Sequence, residues 1–145
     1  KAVIENAKHF AKCLAGEGLD VAGDPSIGYT ETHQVIVRVG YAHGPEIAER
    51  MEANNIICNY QATPEEEGFS ASGALRMGVN EMTRFGFGKD EFAKLAHLIA
   101  ECVLHNSNVK EEVSRLRAGF TDMRYCFSDA QTEALLQSFA QATGI

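Results

Sequence analysis

Residues able to do chemistry concentrate in one stretch of this 145-residue chain, Ser70 to Phe87, written SASGALRMGVNEMTRFGF. The small residues Ser70, Ala71, Ser72, Gly73 and Ala74 let the backbone come close to a neighbour. Leu75-Arg76-Met77 follows, a strand-like segment with one cation between two apolar residues. Neighbours in a strand point to opposite faces, so Leu75 and Met77 can enter a core while Arg76 faces out. A guanidinium on a rigid strand can fork onto a carboxylate or phosphate through two parallel hydrogen bonds. The plain alternative is an edge-strand arginine lying in solvent. Gly78 then releases the chain, and Arg84, Gly86 and Gly88 precede a helix that begins near Lys89.

Other constellations carry less. His97, Glu101 and His105 fall at successive fourth positions of one helix, a spacing a metal can use. The apolar stripe of that helix lies on the opposite side, so the three read as a solvated polar face and no metal site is expected. Glu31 and His33 bracket a strand entrance, either as an acid–base pair or with the histidine satisfied locally. Glu65-Glu66-Glu67 reads as a solvated loop. Gly86-Phe87-Gly88 reads as a turn, since it lacks the strand-before, helix-after setting of a phosphate cradle. Neither a GxSxG elbow nor a Walker-type loop occurs. Cys13, Cys58, Cys102 and Cys126 are scattered without CxxC pairs and read as reduced, mostly buried thiols of a cytoplasmic protein. No residue of the chain stands out as a catalytic acid, base or nucleophile.

The elements that position this stretch are legible from periodicity. Ala2 to Gly18 carries a helical stripe through Val3, Ala7, Phe10 and Leu14, with Gly16 and Gly18 as the stop. It opens without a capping residue, as expected of a chain that begins partway along a longer one. Leu19 to Ala22 is a short strand candidate, and His33 to Val39 alternates apolar and polar residues as a strand should. In that strand Val35, Val37 and Val39 share one face with His33, and Gln34, Ile36 and Arg38 take the other. Gly44-Pro45-Glu46 opens a helix running to Asn54. Ile56 to Asn59 reads as a short strand and Tyr60 to Phe69 as a polar loop, with Thr63 to Glu66 as a single helical turn. Beyond Lys89 the chain is helical: a stripe through Phe92, Leu95, Ala96, Ile99, Cys102 and Val103, then Asn108/Glu111 and Ser128/Gln131 as capping boxes for two further helices. The expected fold is α+β, a two-layer sandwich of a small, mainly antiparallel sheet of three or four strands with helices packed on one face. Residues 1–127 form the domain proper, and 128–145 an additional helix packed on it.

Composition narrows the partners. The length suits one domain, and a net charge of −7 without a basic stripe argues against nucleic acid. No apolar run approaches the ~20 residues of a membrane span, so no membrane is expected.

At Ser72 to Phe87 the sequence resembles the C-terminal domain of serine (glycine) hydroxymethyltransferase. That family carries a Thr-Ser-Gly-aliphatic-Arg-aliphatic-Gly block followed by Thr-Pro-Ala, a Thr and a Gly-Phe. Here Ser72-Gly73-Ala74-Leu75-Arg76-Met77-Gly78, Met82-Thr83 and Gly86-Phe87 stand in matching order. Upstream, Thr30-Glu31-Thr32-His33 is similar to the family's Thr-Asp-Asn-His, and Asn55 to Pro64 to its Gly-Ile-x-x-Asn-x-Asn-x-x-Pro segment. The likeness extends from the first helix to about Phe127. It departs at Val79-Asn80-Glu81, where the family has Thr-Pro-Ala, at Phe85, where it has arginine, and at Gly73-Ala74, which shifts the Ser-Gly pair by one residue. The departures leave room for a relative acting on another amino acid or aldehyde.

The resemblance implies a fold-type I enzyme, homodimeric when full-length, that uses pyridoxal 5'-phosphate to move a one-carbon unit between serine and tetrahydrofolate. In it Arg76 grips the α-carboxylate of a small amino-acid substrate, and Gln61 and Asn59 belong to a loop on the folate side. The cofactor's Schiff-base lysine belongs to the family's large domain, whose motifs are not in this chain, so that domain is the implied partner and the chain alone is expected to be inactive. The competing reading is a stand-alone α+β binding or assembly module without chemistry.

Overall fold

The computed structural model describes residues 1–68, 70–124 and 127–144. Helix α1 (Ala2–Gly16) leads to strand β1 (Asp20–Val21), a 3-10 turn at Pro25–Ile27, strand β2 (Gln34–Arg38) and helix α2 (Gly44–Ala53). Strands β3 (Asn59–Gln61) and β4 (Ala74–Gly78) follow, then helices α3 (Asn80–Arg84), α4 (Lys89–His105), α5 (Lys110–Ala118) and α6 (Asp129–Thr143). The four strands form one antiparallel sheet in the order β1-β2-β4-β3. One face of it is covered by helices, giving the expected α+β two-layer architecture.

Alternation places the core. Val35 and Val37 of β2 and Leu75 and Met77 of β4 are buried on the helix side, facing Phe10, Leu14, Met51, Phe92 and Ile99. Phe92 sits at the centre, its ring 5.3 Å from that of Phe10 and 5.5 Å from that of Phe87. Burying such side chains is the main favourable term for a domain of this size.

Two buried amides tie the helices together. Asn54, just after α2, accepts a hydrogen bond from the Val109 N–H at 2.7 Å and donates to the Arg50 carbonyl at 3.0 Å. Asn6 donates to Thr83 Oγ1 and to the Phe87 carbonyl at 3.0 and 3.1 Å, fixing α1 to α3 and the turn ahead of α4. Replacing Asn54 by leucine leaves the buried Val109 N–H without an acceptor and should destabilise the protein by about 2–3 kcal/mol, measured as a shift in the urea midpoint.

The structure corrects several local expectations. Ile56 is not in a strand: Asn55 adopts a left-handed conformation (φ 63°), and the Ile56 N–H closes the end of α2 on the Met51 carbonyl at 2.9 Å. Ladder pairing therefore starts at Asn59 and takes in Tyr60 and Gln61, which had read as loop. Asn108 forms no capping box, because Val109 holds the N-cap position and gives its N–H to Asn54. Ser128 and Gln131 do form one, at 3.3 and 3.0 Å. The helix they open has no buried residue, and Leu135, Leu136 and Phe139 stay 56, 63 and 65% exposed. Phe69 and Cys126 lie outside the described residues.

Candidate functional site

The sheet's second face carries no helix, and its make-up follows from the register. Arg76 on β4 pairs with Ile36 on β2 and with Asn59 on β3. Directly opposed residues in an antiparallel sheet point to the same side. Ile36, Arg76 and Asn59 therefore form one row across three strands, on the face away from the core. Ala74 forms the next row with Arg38 and Gln61, and Asp20 continues it beyond Arg38. The expected site residues Arg76, Asn59 and Gln61 are thus brought together on one face, a proximity the sequence hides because Ile56 and Ile57 imitate the start of β3.

Arg76 is not on an edge strand. Strand β4 runs between β2 and β3, so the backbone carrying the guanidinium is bonded on both sides. Such a strand fixes the backbone and the direction in which each Cβ leaves the sheet. The Arg76 side chain is half-buried and forms no ion pair or hydrogen bond with any described residue. Arg38, the other arginine of this face, reaches Asp20 at 3.4 Å and Glu65 at 3.5 Å. Neutralised on the spot, Arg38 is poorly placed to attract a further anion, whereas Arg76 keeps its donors for one.

A folded-over loop walls one side of the face. The Glu66 carboxylate accepts the Thr63 N–H at 2.7 Å and the Gly73 N–H at 3.0 Å, and Tyr41 Oη donates to the Glu67 carbonyl at 3.2 Å. Glycine is required at two close approaches here. A Cβ on Gly73 would crowd the Gly40 carbonyl oxygen as well as the Glu66 carboxylate, and one on Gly44, whose N–H donates to the Ser72 carbonyl at 2.8 Å, would overlap that oxygen. The small residues ahead of Arg76 therefore serve to seat β4 against this loop and the start of α2.

The remaining candidates have local roles. His97 Nδ1 lies 3.1 Å from Glu17 Oε2, and Ser107 Oγ donates to Glu101 Oε2 at 2.9 Å. Among the described residues, no three His, Cys, Asp or Glu side chains gather in a metal-binding arrangement. Glu31 and His33 are both exposed at the entrance to β2. Among the described residues, no helix is long and apolar enough to cross a membrane.

Cys58, next to β3, is a core thiol, not a nucleophile. It is half-buried with its Sγ 4.0 Å from Met51 Sδ, and burial, with a smaller contribution from Cys102, pushes its pKa from 9.0 to about 11. The unfolded chain loses this proton first as pH rises, so the folded state binds more protons between those two values. Stability should accordingly be lost as pH climbs from 9.0 toward 11, a trend that Cys58→Ala should flatten in pH-dependent urea melts.

Residues 1–99 match the family model described as serine hydroxymethyltransferase. The serine hydroxymethyltransferase of Pyrobaculum calidifontis is 39% identical over 141 residues, covering 95% of this chain and 32% of the relative. That of Pyrobaculum aerophilum is 42% identical over 129 residues, covering 86% of this chain and 30% of the relative. Among solved structures, L-threonine transaldolase from Pseudomonas fluorescens, in its internal aldimine state, superposes with a TM-score of 0.76 and 28% identity, covering 97% of this chain and 32% of that one. The chain thus spans about a third of the length of the proteins it matches.

Proposed function

The chain belongs to the serine hydroxymethyltransferase family, and on that premise we propose that it is the substrate-carboxylate-binding domain of a serine (glycine) hydroxymethyltransferase-like enzyme. The full-length protein transfers a one-carbon unit between serine and tetrahydrofolate, giving glycine, and works as a cytoplasmic homodimer. Residues 1–127 are the binding domain and 128–145 an appended helix. Arg76 forks onto the amino acid's α-carboxylate and fixes the substrate's orientation, which is where a positioned charge lowers a barrier most cheaply. Gln61, one row along the same face, offers an amide to the folate. The observation that carries this reading is the half-buried guanidinium of Arg76 on an interior strand, facing away from the core and bonded to no described residue.

Pyridoxal phosphate does not fit the residues present. Covalent capture of that cofactor needs a lysine, and the lysines of this chain are Lys1, Lys8, Lys12, Lys89, Lys94 and Lys110. None of them lies on a strand of the sheet or in the loop beside Arg76. The cofactor is therefore assigned to the rest of the enzyme, and the 145 residues alone should be inactive.

A second reading has a specific basis. The likeness to an L-threonine transaldolase favours an enzyme that passes its amino-acid fragment to an aldehyde, and the Val79-Asn80-Glu81 departure leaves room for one. A substrate screen of the full-length enzyme separates the two. Serine cleavage that requires tetrahydrofolate supports the first, whereas threonine cleavage with an added aldehyde and no folate dependence supports the second. Turnover of no hydroxy amino acid would sink both and leave a binding module.

A further inference from the structure

We propose that Asn59 is a second carboxylate-binding residue, whose side-chain amide completes a cradle with Arg76 and discriminates α-amino acids from amines. The inference rests on the carboxylate reading of Arg76 given above.

Three observations support it. Asn59 is the residue directly opposite Arg76 on β3, so the two side chains leave the same face from neighbouring backbones, with Cβ atoms about 5 Å apart. A carboxylate's two oxygens together accept more hydrogen bonds than a single guanidinium fork supplies, which leaves room for a second donor from the neighbouring strand. Asn59 is exposed, and its amide, like the Arg76 guanidinium, bonds to no described residue, so both keep their donors for a ligand. Across Arg76 from Asn59 stands Ile36, half-buried on β2, an aliphatic wall without donors. The row is therefore lopsided: aliphatic, cationic, amide. A carboxylate centred on Arg76 gains a further donor only by leaning toward β3, which fixes the direction in which the rest of the amino acid leaves the sheet. Asn59 thus sits on the carboxylate row instead of the folate side expected from the resemblance, and Gln61, two residues on, occupies the row beyond it and keeps the folate role proposed above.

The test uses the full-length enzyme carrying Asn59→Asp, Asn59→Leu or Arg76→Ala, with dissociation constants for glycine and for methylamine, which lacks the carboxylate, read by calorimetry. Asn59→Leu should weaken glycine by about 5–20-fold, the usual worth of one hydrogen bond to a charged group. Asn59→Asp should weaken it by at least about 50-fold, since it sets a like charge beside the ligand. Methylamine should bind all three variants equally. The aspartate is isosteric with asparagine, so its effect does not arise from packing, and it keeps the test open if the leucine variant misfolds. Wild-type glycine affinity in both Asn59 variants, beside a large loss in Arg76→Ala, would overturn the role of Asn59 and leave the reading of Arg76 intact. Equal losses for glycine and methylamine would make Asn59 merely structural. Unchanged glycine binding in Arg76→Ala would bring down the underlying reading itself.

Discussion

Arg76→Ala in the full-length enzyme is expected to lower kcat/KM for its amino-acid substrate by about 10²–10³-fold, because two charge-assisted hydrogen bonds vanish together. Both the Michaelis constant and kcat should suffer, since the guanidinium holds the ligand and also sets its orientation. Arg76→Lys should recover only a small part of the loss. An ammonium restores the charge but not the fork, and its flexible stem surrenders the geometry an interior strand provides. The fold should not change, and this makes the experiment clean. The Arg76 side chain contributes no hydrogen bond or ion pair to any described residue, and its strand neighbours Leu75 and Met77 carry the burial. The far-UV spectrum and urea midpoint of Arg76→Ala should therefore match wild type while turnover collapses. A kcat/KM within a few-fold of wild type would count decisively against the carboxylate assignment.

That separation between site and core was legible in the sequence only in part. Alternation in QVIVRV and ALRMG assigned each side chain to a face, because one apolar and one polar side leave a strand a single stable orientation. Alternation accordingly turns Arg76 outward, opposite to the buried Leu75 and Met77. Its neighbours were not legible. Which strand lies beside which is decided by long-range pairing, and here β4 inserts between β2 and β3, turning a supposed edge arginine into an interior one. The start of β3 was misplaced because Ile56 and Ile57 look like strand residues, whereas Ile56 is spent closing α2. Short α3 went unseen for a different reason: five residues are too few for a periodic pattern. The same limit explains Asn108, whose spacing to Glu111 imitates a capping box while the N-cap position belongs to Val109. Local pattern fixed orientation; only tertiary pairing created the row that joins Ile36, Arg76 and Asn59.

Stability should show the complementary result at Phe92. Phe92→Ala is expected to destabilise the chain by about 3–5 kcal/mol, near the upper end for a large-to-small core change. The ring is 1% exposed and touches two other aromatic rings, so the lost transfer energy is close to that of a full phenyl group. A second term adds to it. Phe92 also lines the floor of an open cleft of about 390 Å³ whose walls are Met77, Met82, Leu95 and Ile99 and, toward solvent, Glu81 and Arg117. Truncation would open a gap between Phe10 and Phe87 at the floor of that cleft, which the neighbouring rings cannot close by small shifts. Phe92→Leu keeps most of the volume and should cost about 1–2 kcal/mol. The sharpest control is the same deletion at Phe139, which is 65% exposed on α6 and should shift the urea midpoint by no more than about 0.5 kcal/mol. If Phe139→Ala proved as costly as Phe92→Ala, α6 would have to be packed against the domain in solution. The apolar face of Leu135, Leu136 and Phe139 would then be part of the core and not of the surface.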